Sequence, residues 1–202
     1  MGIYLVGVGA AEWFGGAGDG GAGGGGDGFG EDGFGEIAAE LGAALADLGL
    51  PAFAPVSEEA ASAFEEKLSP PSAGFDALCR ELLSREQYET LTSWSVLVPF
   101  PLPDELWLPG GPTPETTMVA GAPQVLAIAE RVATAIGLPV ADLPTAPEGL
   151  ELTGWFLDGP AAELAAVRPG RWSADLAASF YAALFLRAAQ HAIRHGCPMA
   201  FC

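Results

Sequence analysis

Four side chains with metal-binding chemistry fall within one short stretch: His191, His195, Cys197 and Cys202, spaced H-x3-H-x-C-x4-C. Histidines four apart on a helix present both rings on one face. Two thiolates arriving from the following turn would complete a tetrahedral zinc site of the closed, structural kind. Arg187 and Arg194 place positive charge beside any such cation, and Pro198 constrains the turn. The plainer expectation is local: histidines that bond at a helix end, and cysteines that pack as small apolar side chains.

The same strip suits the opposite kind of ligand. Arg187, His191 and Arg194 share one helical face, and Arg168 and Arg171 precede them in the linker RPGR. The planar fork of arginine matches a carboxylate or phosphate, so these residues form a candidate anion pocket. Against it stand 26 acidic residues facing only 8 Lys and Arg, enough to pair every arginine within the fold. A cysteine nucleophile at Cys197 with His191 or His195 as base is disfavoured, because the negative end of a helix raises a thiol pKa. Cys79, in FDALCREL, reads as core. Among the five tryptophans, Trp107 and Trp155 are the best candidates for a ligand or partner surface.

These residues need a scaffold, and the clearest part of it is a helix starting near an N-cap at Ser173. Leu176, Phe180, Leu184 and Ala188 recur every four residues, Phe185, Ala189 and Ala192 widen the stripe, and Gly196 and Pro198 end it. Upstream, residues 3–8 (IYLVGV) read as a buried strand. The following glycines give G-x-G-x-x-E, not the G-x-G-x-x-G of a dinucleotide site. From Gly15 to Gly35 there are 13 glycines, interleaved with acids, which predicts a flexible loop at about 15–35. Its GGGGDGF is half of one glycine-aspartate calcium repeat, a motif that works in stacked copies. Phe29 and Phe34 are the loop's aromatics, able to fold back over a cleft.

Helices are expected over 35–48, 57–68, 74–83, 84–91, 123–136 and 160–167. Strands are expected over 94–103 and 105–108, joined as a hairpin, and over 149–157. Residues 113–121 read as a loop. Glu58/Glu59 and Glu65/Glu66 are adjacent acids on a predicted helix and read as a solvated face. The fold class is therefore α+β: a small mixed or antiparallel sheet of about three to five strands packed against helices, with a long buried C-terminal helix, in one domain spanning 1–202.

The formal charge of −18 argues against nucleic acid and against an anionic membrane surface. Residues 1–100 hold 16 acids and three bases, whereas residues 168–202 hold one acid and four arginines. The C-terminal region alone should welcome an anion. No secretory leader or membrane span is evident, and the three cysteines do not suggest a disulfide framework, so the expected compartment is cytoplasmic. No G-x-S-x-G, H-E-x-x-H, P-loop or C-x-x-C occurs. The leading expectation is a non-enzymatic interaction or regulatory protein, without a cofactor, that meets a cationic protein surface. The alternatives are a small anion-binding protein or enzyme at the basic helix end, and a structural zinc site.

Overall fold

The structure, a computed structural model, describes residues 2–15, 34–55, 64–109, 116–144 and 149–202. The expected flexible glycine loop lies almost wholly outside the described residues, as do most of the helix expected over 57–68 and part of the loop expected over 113–121. The described chain is an α+β fold with a six-stranded mixed sheet. Its strands are β1 (Tyr4–Gly7), β2 (Glu65–Lys67), β3 (Val96–Val98), β4 (Leu106–Leu108), β5 (Thr117–Gly121) and β6 (Met199–Phe201). Their order across the sheet is β2-β1-β6-β3-β5-β4, with β3 and β5 parallel and the other pairs antiparallel.

Alternation along these short strands sends side chains to two helical layers. Val96, Val98, Val119 and Ala200 face α1 (Ala10–Phe14) and α2 (Gly35–Asp47), meeting Trp13, Ile37, Leu41 and Leu45. Phe34 belongs to this layer: it stacks on Trp13 with ring centroids 6.1 Å apart and so packs the core rather than covering a cleft. Leu5, Leu97, Ala120 and Met199 point the other way. There they meet α3 (Ala73–Leu82), α4 (Arg85–Thr92), α5 (Ala122–Ile136) and the long α9 (Leu176–His195). Three short helices, α6 (Glu151–Leu157), α7 (Pro160–Val167) and α8 (Arg171–Ala174), lead the chain into α9.

Helix α9 is the central pillar of that larger layer and packs most extensively against α5. Its N-cap is Asp175, whose carboxylate accepts from the Ala178 backbone N–H at 2.9 Å, and not Ser173. The Ser173 hydroxyl instead bonds the Gly170 carbonyl within the preceding α8 turn. At the other end Gly196 adopts φ +62°, the left-handed cap expected of it, and aims the chain back into the sheet as β6. Polar groups inside this layer are bonded. Ser179 donates to the Trp172 carbonyl at 2.6 Å, Tyr181 to the Pro70 carbonyl at 2.7 Å and the Trp94 indole to the Leu91 carbonyl at 3.0 Å.

Four expectations are corrected. Residues 149–157 form helix α6, not a strand: Leu152 and Phe156 bury one helical face, and the Glu66 carboxylate accepts from the Leu152 and Thr153 backbone N–H groups that open the helix. Glu65–Lys67 is strand β2, not helix, with Glu66 opposite Leu5. The segment 117–121 is the fully buried strand β5 rather than loop. It lies between β3 and β4, so these two do not form a hairpin. The tail after α9 also becomes a strand. By contrast, Ser84 caps α4 in a reciprocal capping box with Gln87, as its position suggested.

Phe180, fully buried against Phe156 and Tyr181, measures the worth of the α9 layer. Phe180→Ala should cost about 3–5 kcal/mol in denaturant unfolding, whereas Trp107→Ala, at a ring 62% exposed, should stay within about 0.5 kcal/mol.

Candidate functional site

Positions 187, 190/191 and 194 follow the spacing that stacks side chains on one helical face. On α9 that face looks into a cleft of about 240 Å³. Arg187, Gln190, His191, Arg194 and His195 form one wall, and Phe64, Glu66, Pro144 and Leu152 contribute to the other side. His191 is 7% exposed, its ring tilted over Phe64 at 5.1 Å and over His195 at 4.4 Å between centroids.

Arg187 sets the character of this cleft. It lies more than two turns from the end of α9, beyond the reach of the negative helix end that accounts for Arg194 and His195. Its guanidinium is held by neutral acceptors: Nη1 donates to Gln190 Oε1 at 2.9 Å, and Nη2 to the Val140 and Leu143 carbonyls at 3.0 and 3.1 Å. Its Nε–H is buried and meets no acceptor among the described residues. Burial, and then the neighbouring charge of Arg194, lower its pKa. Among the described residues neither arginine pairs with a carboxylate, although Arg85, Arg168 and Arg171 are joined to Glu89, Asp142 and Glu81. Arg80 and Arg131 are likewise in no ion pair among the described residues, so what sets Arg187 apart is its buried Nε and its carbonyl clamp. A buried unmet donor costs about 1–3 kcal/mol, a cost that an incoming acceptor removes.

Glu66 is the site residue that the sequence reading missed. Strand alternation in Phe64-x-Glu66-x-Leu68 turns it inward, whereas a helical reading of the same segment leaves it in solvent. It is 6% exposed. Its carboxylate accepts from Leu152 N at 2.7 Å, Thr153 N at 2.8 Å and Thr153 Oγ1 at 2.7 Å. Burial nonetheless raises its pKa, outweighing these bonds, and the charge of Glu151 adds to the rise.

The remaining expected residues lie elsewhere. Arg168 and Arg171, in their ion pairs with Asp142 and Glu81, do not join the cleft. Trp107 lies on edge strand β4, and Trp155 packs edge-on against Phe156 and near Trp172; neither lines the cleft. The four side chains of the zinc alternative are not all gathered in one place. His191 and His195 are together, but no group of three or more His, Cys, Asp or Glu among the described residues is placed to hold a metal. Cys197 is committed to the core beneath α9, and Cys202 continues β6 by exchanging backbone hydrogen bonds with Tyr4.

All three cysteines are free, and burial pushes the Cys79 thiol up to about 12 and Cys197 to about 11. Cys202, half-buried, is raised by burial and then by the charges of Glu12 and Glu65. Cys79 and Cys197 are therefore inert buried thiols.

A second cleft, of about 420 Å³, opens where β5 runs into α5. Gly121 is required there, since a Cβ would stand 2.8 Å from the Phe100 carbonyl oxygen. Gln124 donates to the Leu102 carbonyl and leaves its own buried Oε1 without a donor. Glu86, Asp104 and Glu105 surround it, and no basic residue contributes to its lining.

Two measurements check this description. With its folded pKa raised above the ordinary 4.5, Glu66 contributes stability that is fully present below that value and is lost as pH rises through the folded value. Wild-type protein should therefore gain stability relative to Glu66→Gln as pH falls from neutral toward 4.5, by paired unfolding curves. In thiol labelling at mildly alkaline pH, only Cys202 should react in the folded protein, and all three cysteines after denaturation. Rapid native labelling of Cys197 would contradict its burial.

No helix among the described residues is long and apolar enough to cross a membrane. Comparison of the chain with protein-family models, with curated proteins and with solved structures finds no match, so the functional reading rests on the cleft's own chemistry.

Proposed function

We propose that the chain binds a small organic or inorganic anion in the cleft between the last turns of α9 and the β2–α6 corner. The observation that carries this reading is Arg187: buried at Nε, held by carbonyls, beside Arg194, and without a carboxylate among the described residues. An anion would supply the missing acceptor and offset the repulsion between the two guanidinium groups. The carbonyl clamp fixes Arg187 before the ligand arrives, which lowers the ordering cost of binding. Phe64, Pro144 and Leu152 give the cleft apolar surface beside its charge.

A second reading, an interaction module for a cationic protein, is supported by the concentration of acids in the first hundred residues. It predicts no response to small anions.

Isothermal titration with inorganic phosphate, acetate and succinate separates the two. Wild-type protein should bind at least one of them in the micromolar to millimolar range, more weakly as salt rises. Arg187→Ala should weaken that binding about tenfold to a hundredfold, the worth of a charge-assisted hydrogen bond, with a folded circular-dichroism spectrum. Absence of binding by the wild type at millimolar concentrations of all three would defeat the proposal.

A further inference from the structure

The cleft holds a buried carboxylate, Glu66, as well as a half-buried guanidinium, Arg187, and the two do not pair. Glu66 is turned toward α6 by three hydrogen bonds from Leu152 and Thr153. Arg187 is turned toward the Val140–Leu143 segment by the carbonyls of Val140 and Leu143, and also binds Gln190. Both contribute to the lining of the same 240 Å³ space, yet no ion pair joins them. Opposite charges facing one cleft attract more strongly as water is excluded. Here each is clamped by its own neighbours, so the cleft keeps a positive wall and a negative wall with a gap between them.

We infer that the gap is built for a zwitterion, an α-amino acid whose carboxylate meets Arg187 and Arg194 and whose ammonium meets Glu66. This inference rests on the anion-binding reading above and names its ligand class. Among the described residues neither Glu66 nor Arg187 nor Arg194 is in an ion pair, so each lacks the counter-charge that such a ligand carries. Glu66 has acceptor capacity to spare: Oε1 takes one hydrogen bond, from Leu152 N, while Oε2 takes two from Thr153. Arg187 keeps a buried Nε–H without an acceptor among the described residues. The displacement of both pKa values toward neutrality by burial is what two charges awaiting partners should show.

Size and lining agree with the same class. The cleft's 240 Å³ gives room for a small molecule. Phe64, Leu152 and Pro144 provide an apolar place for a short side chain. A plain carboxylate or phosphate would satisfy only the arginine wall and leave Glu66 without a counter-charge, and a plain amine would do the reverse. The pocket therefore discriminates by requiring both ends at once.

The test is a matched titration of full-length protein with L-alanine and L-valine, with their deaminated counterparts propionate and isovalerate, and with ethylamine. The amino acids should bind at least about tenfold more tightly than the matching carboxylates, and ethylamine should bind most weakly. Glu66→Gln should erase the preference for amino acid over carboxylate while leaving carboxylate binding in place. Arg187→Ala should weaken both about tenfold to a hundredfold. The comparison among ligands needs only the wild type, so it stands even if a variant fails to fold. Equal or tighter binding of the carboxylates overturns the zwitterion inference and leaves the anion reading intact. Binding of ethylamine above both also overturns it. Failure of every compound, phosphate included, overturns the two together.

Discussion

Backbone pairing of Met199–Phe201 holds the two halves of the sheet together. β6 bonds to β1 on one side and to β3 on the other, so the β2-β1 pair and the β3-β5-β4 group meet only through it. The same three residues are tied to α9 by the left-handed turn at Gly196 and by Cys197 buried beneath the helix. The last turns of α9 are thereby locked over the β1–β2 corner. That lock brings Arg187 and His191, on the helix, against Phe64 and Glu66, at the strand. A cleft with charged walls is a product of this arrangement rather than of any local motif.

The corner is reinforced from outside the sheet. The outer edge of β2 is engaged by the start of α6: Leu150 donates its N–H to the Glu65 carbonyl, and the Thr153 hydroxyl bonds the Lys67 backbone. This covers an edge that would otherwise offer unpaired backbone groups to other chains. It also explains why Leu150 takes a positive φ of 63°, the one such non-glycine residue among those described. The strained turn places the first N–H groups of α6 over Glu66. Strain at one residue and burial of one carboxylate are two sides of the same junction.

How much of this was legible in the sequence depended on element length. The long amphipathic helices α2, α3, α5 and α9 announce themselves by repeating apolar positions, and Gly137 and Gly196 end α5 and α9 with the left-handed turns expected of glycine. Strands of three residues, such as β2 and β6, are too short to show alternation against background, and β5, buried on both faces, shows none. In residues 149–157, the spacing of Leu152 and Phe156 satisfies both a strand and a helix, and the cap from distant Glu66 settles the matter. Half of the cleft was visible, because Arg187, His191 and Arg194 lie on one helix. The other half, Phe64 and Glu66, depended on a strand pairing with residues about sixty positions away.

The position of β6 also governs the order in which the chain can become native. Leu5 and Phe201 are partners in the sheet although nearly the whole chain of about 200 residues separates them. Closing a loop of that length costs entropy before any contact rewards it, and topologies dominated by such contacts fold slowly. During synthesis β1 emerges first but must wait for its inner neighbour. Until β6 arrives, β1 and β3 each carry an unpaired edge, exposing unbonded backbone N–H and C=O groups to other chains. A strand of three residues is therefore the kinetic gate of this fold as well as its seam.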